Sequence, residues 1–215
     1  MMDFLDYLGR NYADIFAHTI EHMQLLGVSL TIAVLIGVPL GIYLTTNEQL
    51  ASTVLQAASI ILTIPSIALF GVMIPILSTI GQGIGFLPAV IALILYSQLP
   101  IIRNTYTAIN NVDPNIRDAA KGIGMTTLQR LWKVEIPNGM PLIMAGVRTA
   151  TVLSIGIGAI AAFIGSGGLG VLIDMGISRG NQNMVLAGAI AISILAIAAD
   201  FGLKKIQVKF SPKGI

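Results

Sequence analysis

Charged residues are scarce in this chain. Asp, Glu, Lys and Arg together make up 10% of its 215 residues, whereas a soluble domain usually carries about 25%. No charged side chain occurs from Gln49 to Ile102, a run of 54 residues. Because a bilayer core of about 30 Å is crossed by about 20 helical residues, that run is long enough for two crossings. A water-soluble domain is therefore excluded, and the sequence predicts an integral membrane protein.

Other absences narrow the chemistry. Cysteine is missing, which excludes disulfide bonds and thiolate nucleophiles but does not place the chain in a compartment. The phosphate-binding pattern G-x-x-x-x-G-K-[ST] is missing as well, so the chain does not supply a nucleotide cradle of that kind. The start of the chain also lacks the basic segment of a cleavable signal, since Asp3, Asp6 and Asp14 outnumber Arg10 there.

The first 22 residues are predicted to form a separate N-terminal segment. Its apolar residues fall near helical spacing on one face, namely Phe4, Leu5, Leu8, Tyr12, Ile15 and Phe16. This pattern is typical of an amphipathic helix, here over 3–20, that lies at the membrane surface. A helix that packs on the membrane spans explains the same pattern equally well.

Long apolar runs predict five crossings and hence an all-α membrane protein with one membrane domain over 23–204. The predicted spans are 23–45, 53–76, 87–108, 140–164 and 183–204. Several contain proline, which frees a backbone carbonyl that membrane helices tolerate where neighbouring groups satisfy it. Residues 205–215 are predicted to form a basic tail.

The loop charges predict the orientation of the chain. With five spans, one side receives Arg10 and Arg179, while Arg148 falls within a span. The other side receives Arg103, Arg117, Lys121, Arg130, Lys133, Lys204, Lys205, Lys209 and Lys213. Because basic loops stay in the cytoplasm, the sequence predicts that the long loop over about 110–138 and the C-terminus face the cytoplasm. The N-terminus is predicted to face outward.

The cytoplasmic loop carries the signals of a helix near its start. Asp113 followed by Pro114 is typical of an N-cap and first helical residue, and Gly122 and Gly124 predict the end of that helix. Apolar side chains recur at i, i+3, i+4 and i+7, which predicts a single apolar face. They are Ile116, Ala119, Ala120 and Ile123.

A second short helix is predicted to follow. Thr126 and Gln129 have the spacing of a capping box, and Pro137 is predicted to stop the helix before the next span. The loop is therefore expected to form a short, bent helix pair with a basic rim, held close to the bilayer.

This loop resembles the EAA signature of ABC importer permeases, in which an acid, two alanines and a later glycine precede an apolar-x-apolar-Pro ending. The matching residues are Asp118, Ala119, Ala120, Gly124, Val134, Ile136 and Pro137. Two of them depart mildly from the family pattern, because Asp118 stands where Glu is usual and Val134 where Ile is usual. The resemblance implies the fold of a type I ABC importer permease with five transmembrane helices.

The resemblance also implies partners and a mechanical role. In such permeases the helix pair, here including Gly122 and Met125, sits in a groove of a cytoplasmic ATPase and transmits its motion to the spans. ATP and Mg would then bind to the partner ATPase dimer, and this non-catalytic chain would bind no cofactor or metal. A second permease subunit, an extracytoplasmic substrate-binding protein and membrane lipid are the other implied partners. Nucleic acid is not expected as a partner. The implied location is the bacterial cytoplasmic membrane.

The resemblance covers nearly the whole chain and indicates a branch of the family. GVSLTIAVLIGVPLGIYL, TIPSIALFG, LPIIRNTYTAI and GSGGLG are similar to the permeases that import glycine betaine, carnitine and choline. Methionine or another small zwitterion is the alternative cargo, and an ATP-independent carrier is a weaker one, since inverted repeats and an intramembrane carboxylate relay are not found. Aromatic residues are 6% of the chain and too scattered for a cation–π cage, so selection is expected to lie in the binding protein.

Six further residues are candidates for a gate or for the passage. GSGGLG is similar to the external gate loop of the family, with a flexible connector as the alternative. Arg148 is expected to line the passage, to pair with a carboxylate such as Asp200, or to extend toward the cytoplasm. The six candidates are Pro65, Ser66, Arg148, Gly165, Gly167 and Gly168.

Two motifs are interpreted as coincidental. HTIEH, residues 18–22, matches a zinc-peptidase pattern with His18 and His22 on one helix face, but no third ligand is apparent. GSGGLG is formally G-x-G-x-x-G, yet a dinucleotide site requires a strand before it. Neither a metal site nor a nucleotide site is therefore predicted.

Overall fold

Helices account for the regular structure of the described residues. The computed structural model describes residues 2–210, with side chains from Phe4 onward, so Lys213 of the predicted tail lies outside the described residues. The α-helices are α1 (Met2–Leu44), α2 (Glu48–Thr63), α3 (Ser66–Ser78), α4 (Phe86–Asn110), α5 (Pro114–Gly122), α6 (Thr127–Arg130), α7 (Ile136–Ala161), α8 (Gly170–Ser178) and α9 (Gln182–Phe210). A π-helical turn (Leu131–Glu135) precedes α7, and a 3₁₀ turn (Ala162–Ile164) follows it.

The predicted all-α membrane fold is confirmed. Four helical stretches are long and apolar enough to cross a membrane, namely Phe4–Leu44, Phe86–Asn110, Thr127–Ile164 and Gln182–Phe210. The bent pair α2–α3 makes a fifth crossing if it counts as one span. The described part of the chain therefore carries four or five spans.

The second predicted span, 53–76, is broken rather than straight. α2 and α3 meet at an angle of 99°, and the break falls at Ile64 and Pro65. The Tyr96 hydroxyl of α4 donates a hydrogen bond of 2.7 Å to the Ile64 carbonyl. That carbonyl has left the helical ladder, and a membrane interior offers no water to satisfy it. The buried tyrosine therefore stabilises the elbow.

α1 passes through the predicted boundary at residue 22 without interruption. The backbone departs from helical geometry at Asn11 (φ −115°, ψ 15°). Tyr7 and Ile15 pack against residues of α8 and α9, whereas Tyr12 and Phe16 are exposed. The segment thus makes real contacts with the bundle, and its position at the membrane surface stays a prediction.

The predicted helix stop at Pro137 is wrong. The chain continues from α6 through the π turn into α7, and Glu135 and Ile136 both have helical backbone angles. Pro137 directly follows the π turn, so the helix is locally distorted beside the proline rather than ended by it. The loop is therefore joined to the following span by continuous helix.

α9 likewise continues beyond the predicted end of the last span at residue 204. It runs to Phe210, so the first part of the predicted tail is helical. Lys205 lies over the ring of Phe201, 4.6 Å from its centroid. The basic end of the chain is thus an extension of α9 through the described residues.

α4 lies at the centre of the bundle between α1 and α7. A Cβ atom added at Gly41 of α1 would lie 2.7 Å from the Thr105 Cβ of α4. On the other side, a Cβ atom at Gly146 of α7 would lie 2.7 Å from the Pro100 carbonyl oxygen. Small residues let membrane helices approach closely enough for van der Waals contact. These glycines therefore set the spacing of the three helices.

We expect Gly146→Ala to destabilise the bundle by about 1–3 kcal/mol, because its new methyl group meets the Pro100 carbonyl oxygen and the Cβ of Asn104, which cannot move aside as a side-chain end can. Gly156→Ala on the same helix is the matched control, since no atom lies within 4 Å of its added Cβ. Thermal unfolding of both variants in detergent checks the difference. Equal stability of the two variants would contradict the packing described for α4 and α7.

Candidate functional site

The loop between α4 and α7 forms a short helical unit over residues 113–135, which we call the coupling arm after the role that the family resemblance implies. The Asp113 side chain accepts a hydrogen bond of 2.8 Å from the Asn115 N–H, and Pro114 begins α5. α5 ends at Gly122, and Gly124 has a φ of +82°. Because that region disfavours residues with a Cβ atom, Gly124 permits the bend between the two short helices.

The second half of the coupling arm also begins as predicted. The Gln129 N–H donates to the Thr126 hydroxyl at 3.3 Å, and the Thr126 N–H donates to the Gln129 side chain at 3.0 Å. This reciprocal pair is the predicted capping box. α6 is only four residues long before the π turn, so the arm consists of one short helix, a glycine bend and a π-distorted start of α7.

The coupling arm carries three large apolar side chains that the described residues leave mostly exposed, two of which, Leu128 and Trp132, line a groove between the arm and the bundle. The side chains of Ile123, Leu128 and Trp132 are 75%, 66% and 64% exposed. A Cβ atom at Gly122 or Gly124 would meet nothing within 4 Å. Large apolar side chains clustered in the open are typical of an interaction surface.

The residues of the family signature are divided between this surface and the interior. The predicted apolar face of α5 is mostly open. Ala120 is buried, whereas Ile116 and Ala119 are exposed. Asp118, Gly122, Gly124 and Pro137 are exposed, and Met125, Val134 and Ile136 are half-buried. Asp118 pairs with Lys121 at 3.0 Å.

A buried carboxylate ties the coupling arm together. Glu135, whose side chain is 8% exposed, lies 2.8 Å from the Arg130 Nε and 3.3 Å from the Arg117 Nε. Arg117 also donates to the carbonyl of Ile109 at the end of α4. One cluster thus joins α4, α5, α6 and the start of α7. The sequence analysis missed this role, because Glu135 is five residues from Arg130 and eighteen from Arg117, which is not a helical pairing distance.

A groove of about 850 Å³ lies between the coupling arm and the ends of α1 and α7. Apolar side chains line most of it, among them Tyr43 of α1 and Leu128 and Trp132 of the arm, and Arg130 and Glu135 also contribute to its lining. The arm is therefore held against the bundle by its charged cluster, and apolar surface remains open beside it.

A second candidate feature lies at the opposite end of α7, in the loop over residues 165–169, which we call the glycine loop. Gly165, Gly167 and Gly168 have φ values of +78°, +77° and +84°. Residues with a Cβ atom rarely adopt such angles, so the backbone of this loop favours glycine at all three positions. The Gly168 N–H donates to the Glu21 carboxylate of α1 at 2.9 Å. The loop is therefore docked on the first helix, and α8 follows it.

The two motifs interpreted as coincidental have structural roles. His18 lies 2.9 Å from Glu21, and His22 is fully buried; the described residues contain no group of three or more candidate metal ligands. The glycine loop follows a helix rather than a strand. The HTIEH segment and the glycine loop contact each other, because Glu21 of HTIEH accepts the hydrogen bond from Gly168.

The other candidate passage residues lie apart from both features. Arg148 on α7 makes a two-pronged ion pair with Asp200 on α9, with Arg148 Nη2 and Asp200 Oδ2 2.9 Å apart. Pairing offsets the cost of charge within a span. Pro65 and Ser66 belong to the elbow between α2 and α3. The structure thus does not gather the six candidates into one site, and any role of theirs in a passage stays a prediction.

A comparison with known protein families identifies the family of this chain. Residues 37–211 match the family described as the binding-protein-dependent transport system inner membrane component. The chain belongs to this family. It is thus a multi-pass permease subunit of an ABC importer, and the predicted family resemblance is confirmed.

Its curated relatives include several permeases named for osmoprotectants. The chain is 51% identical over 214 residues to the osmoprotectant import permease protein OsmW of Salmonella typhimurium, with 100% of each chain covered. It is 39% identical over 215 residues to the choline transport system permease protein OpuBB of Bacillus subtilis, covering 100% of this chain and 97% of the relative. The glycine betaine/carnitine/choline permease OpuCB of the same organism gives the same values.

Solved structures share the fold. A chain of the MetNI methionine ABC transporter, solved in inward-facing conformations, superposes with a TM-score of 0.82. The match covers 92% of this permease and 97% of that chain at 23% identity. At that identity the likeness establishes the fold and carries no information on cargo. The expected type I ABC importer permease fold is confirmed.

We expect Glu135→Gln to destabilise the coupling arm by about 1–3 kcal/mol, because it leaves two arginines without their shared carboxylate. The value is below that of a fully buried pair because both arginine side chains are partly in contact with solvent. Limited proteolysis between residues 113 and 135 measures the effect. Asp118→Asn removes an exposed pair of the same arm and should change cleavage little, so equal cleavage of the two variants would contradict the bracing role of Glu135.

Proposed function

We propose that this permease is the translocation subunit of an ATP-driven importer for osmoprotectants, with quaternary ammonium solutes such as glycine betaine, carnitine and choline as cargo. The observation that carries the proposal is the coupling arm. It presents an exposed apolar surface, it is braced by a buried carboxylate, and it continues as unbroken helix into a predicted span.

The arm is suited to transmit motion. A partner that pushes on Ile123, Leu128 and Trp132 pushes on a unit held by Glu135, because that carboxylate joins both halves of the arm. α7 contains 26 residues, which corresponds to about 39 Å at 1.5 Å per residue. Displacement at the arm therefore reaches the glycine loop through one helix, in the manner of rigid-body switching.

The partner on this surface is proposed to be a cytoplasmic ATPase dimer, which binds ATP and Mg. This chain has no phosphate-binding loop of its own, so we assign it no catalytic role. A second permease subunit, identical or homologous, completes the passage, and an extracytoplasmic binding protein delivers the cargo. The basic residues on the side of the arm support a location in the bacterial cytoplasmic membrane with the arm and C-terminus in the cytoplasm and the N-terminus outside.

The cargo assignment is supported by the names of the relatives at 39–51% identity. The scattered aromatic residues of the spans support selection by the binding protein rather than by a cation–π cage in this chain. Methionine is the alternative cargo, because a methionine transporter shares the fold. At 23% identity that likeness does not favour methionine over osmoprotectants.

We expect Gly124→Arg to insert normally into the membrane but to lose uptake and binding to the ATPase. The Arg side chain would project from open surface into the space that the partner must occupy. Co-purification of the ATPase and uptake of labelled glycine betaine measure both effects. Gly124→Ala is the control, since it carries the same backbone strain without the bulk. Normal co-purification of the Arg variant would contradict the proposed docking surface.

A separate experiment addresses cargo. The binding protein that associates with the assembled transporter should show a thermal shift with glycine betaine, carnitine or choline and none with methionine. Uptake by the reconstituted transporter should follow the same order and should require ATP. A shift with methionine alone would replace the proposed cargo, while uptake without any ATPase activity would overturn the proposed class of transporter.

A further inference from the structure

We propose that Glu21, positioned by His18, is the latch that holds the glycine loop closed on α1, so that opening of the cargo entrance requires the Glu21–Gly168 hydrogen bond to break. This inference rests on the proposed function, because it takes the glycine loop to lie on the side from which cargo enters. It assigns a role in transport to the HTIEH segment, which the coupling mechanism leaves unused.

The contact between Glu21 and the loop joins parts of the chain that are 147 residues apart. The Gly168 N–H donates to Glu21 Oε2 at 2.9 Å, and the His18 Nδ1 lies 2.9 Å from the same oxygen. Hydrogen bonds to a charged acceptor are about twice as strong as those between neutral groups. One carboxylate oxygen is thereby held between a side chain of its own helix and the backbone of the loop.

The glycines of the loop fit closely around this carboxylate. A Cβ atom at Gly167 would lie 2.9 Å from Glu21 Oε2, and one at Gly168 would lie 2.9 Å from the His22 Nδ1. Both glycines also have positive φ values. The loop therefore requires glycine for its backbone path and for its approach to α1, which a flexible connector would not require.

The glycine loop also packs against His22, the neighbour of Glu21 on α1. His22 is fully buried, and Gly158 of α7 approaches it so closely that an added Cβ would lie 3.3 Å from its ring. Glu21 is different, because its side chain is 48% exposed. The glycine loop thus packs on the buried His22 and donates its hydrogen bond to the half-exposed carboxylate of Glu21. Because water reaches that carboxylate, the Glu21–Gly168 bond can open.

The neighbouring turn is attached to the same place. The Gly85 N–H, just before α4, donates to the Ile164 carbonyl at 2.8 Å. α8 follows the loop directly and packs on α9 through Leu172. Release of Gly168 from Glu21 would therefore free a loop that is linked to the ends of α4, α7 and α8. The Glu21–Gly168 hydrogen bond thus links this group of helix ends to α1, beside the packing of the buried Leu169 near Tyr7 and Ile15.

Site-directed labelling tests the latch without measuring transport. The chain has no cysteine, so Ser166→Cys provides one reporter in the loop, and its rate of reaction with a maleimide follows loop opening. We expect Glu21→Ala to raise this rate about tenfold and Glu21→Gln to raise it less, since a neutral amide oxygen still accepts a weaker bond. Glu48→Gln, which changes a carboxylate in the first turn of α2, is the matched control and should leave the rate unchanged.

A crosslink tests whether the loop must open for transport. The Cβ of Glu21 and a Cβ built at Gly167 are 3.9 Å apart, within the range that disulfides span. In the assembled transporter, the Glu21→Cys/Gly167→Cys variant should lose uptake when oxidised and regain it on reduction. Each single variant should show no response to the oxidant, which controls for the strain at Gly167.

The outcomes separate the latch from the function on which it rests. Unchanged labelling in Glu21→Ala would overturn the latch even if the transporter imports osmoprotectants. Full uptake by the oxidised double variant would also overturn it, because transport would then proceed with the loop fastened. If the parent chain with its partners imports nothing, the proposed function fails, while faster labelling in Glu21→Ala would still establish the contact.

Discussion

The close approach of α4 to both of its neighbours is the constraint on which the bundle depends. Lipid tails are as apolar as leucine side chains, so helices in a membrane gain little from burying apolar surface and associate through van der Waals contact instead. Gly41 on one side and Gly146 on the other bring backbone against α4. Because α7 is positioned by this contact, everything attached to its two ends is positioned with it.

The two ends of α7 carry different kinds of attachment. At one end Glu135 joins the coupling arm to α4 and α7 through two arginines, a buried cluster that resists deformation. At the other end the glycine loop meets α1 through a hydrogen bond to Glu21, whose side chain is 48% exposed, and through close packing on His22. Between them Arg148 pairs with Asp200 and fastens α7 to α9. The proposed transfer of motion along α7 requires a contact that resists deformation at the coupling arm and a contact that can open at the glycine loop.

Local signals in the sequence predicted local structure well. The Asp113 cap, the Thr126–Gln129 capping box and the bend at Gly124 all occur where the residues indicate them, because each depends on groups within four residues of one another. Pro137 led to a wrong prediction, since a proline that usually marks a helix boundary can also lie in a helix that is locally distorted. The sequence indicated that prolines disturb the spans but not that the second span is broken at Pro65, because the size of the bend depends on distant partners such as Tyr96.

The sequence by itself determined that the chain lies in a membrane, that its regular structure is helical and that it carries an importer permease signature, because hydropathy, caps and motif spacing are local properties. Tertiary structure alone decided which distant groups meet. The Glu135 cluster and the contact of Glu21 with Gly168 join residues separated by up to 147 positions, and the Arg148–Asp200 pair was one of three alternatives that the sequence left open. Such pairings follow from how the helices pack, and helical periodicity on one segment carries no record of which segment will lie beside it.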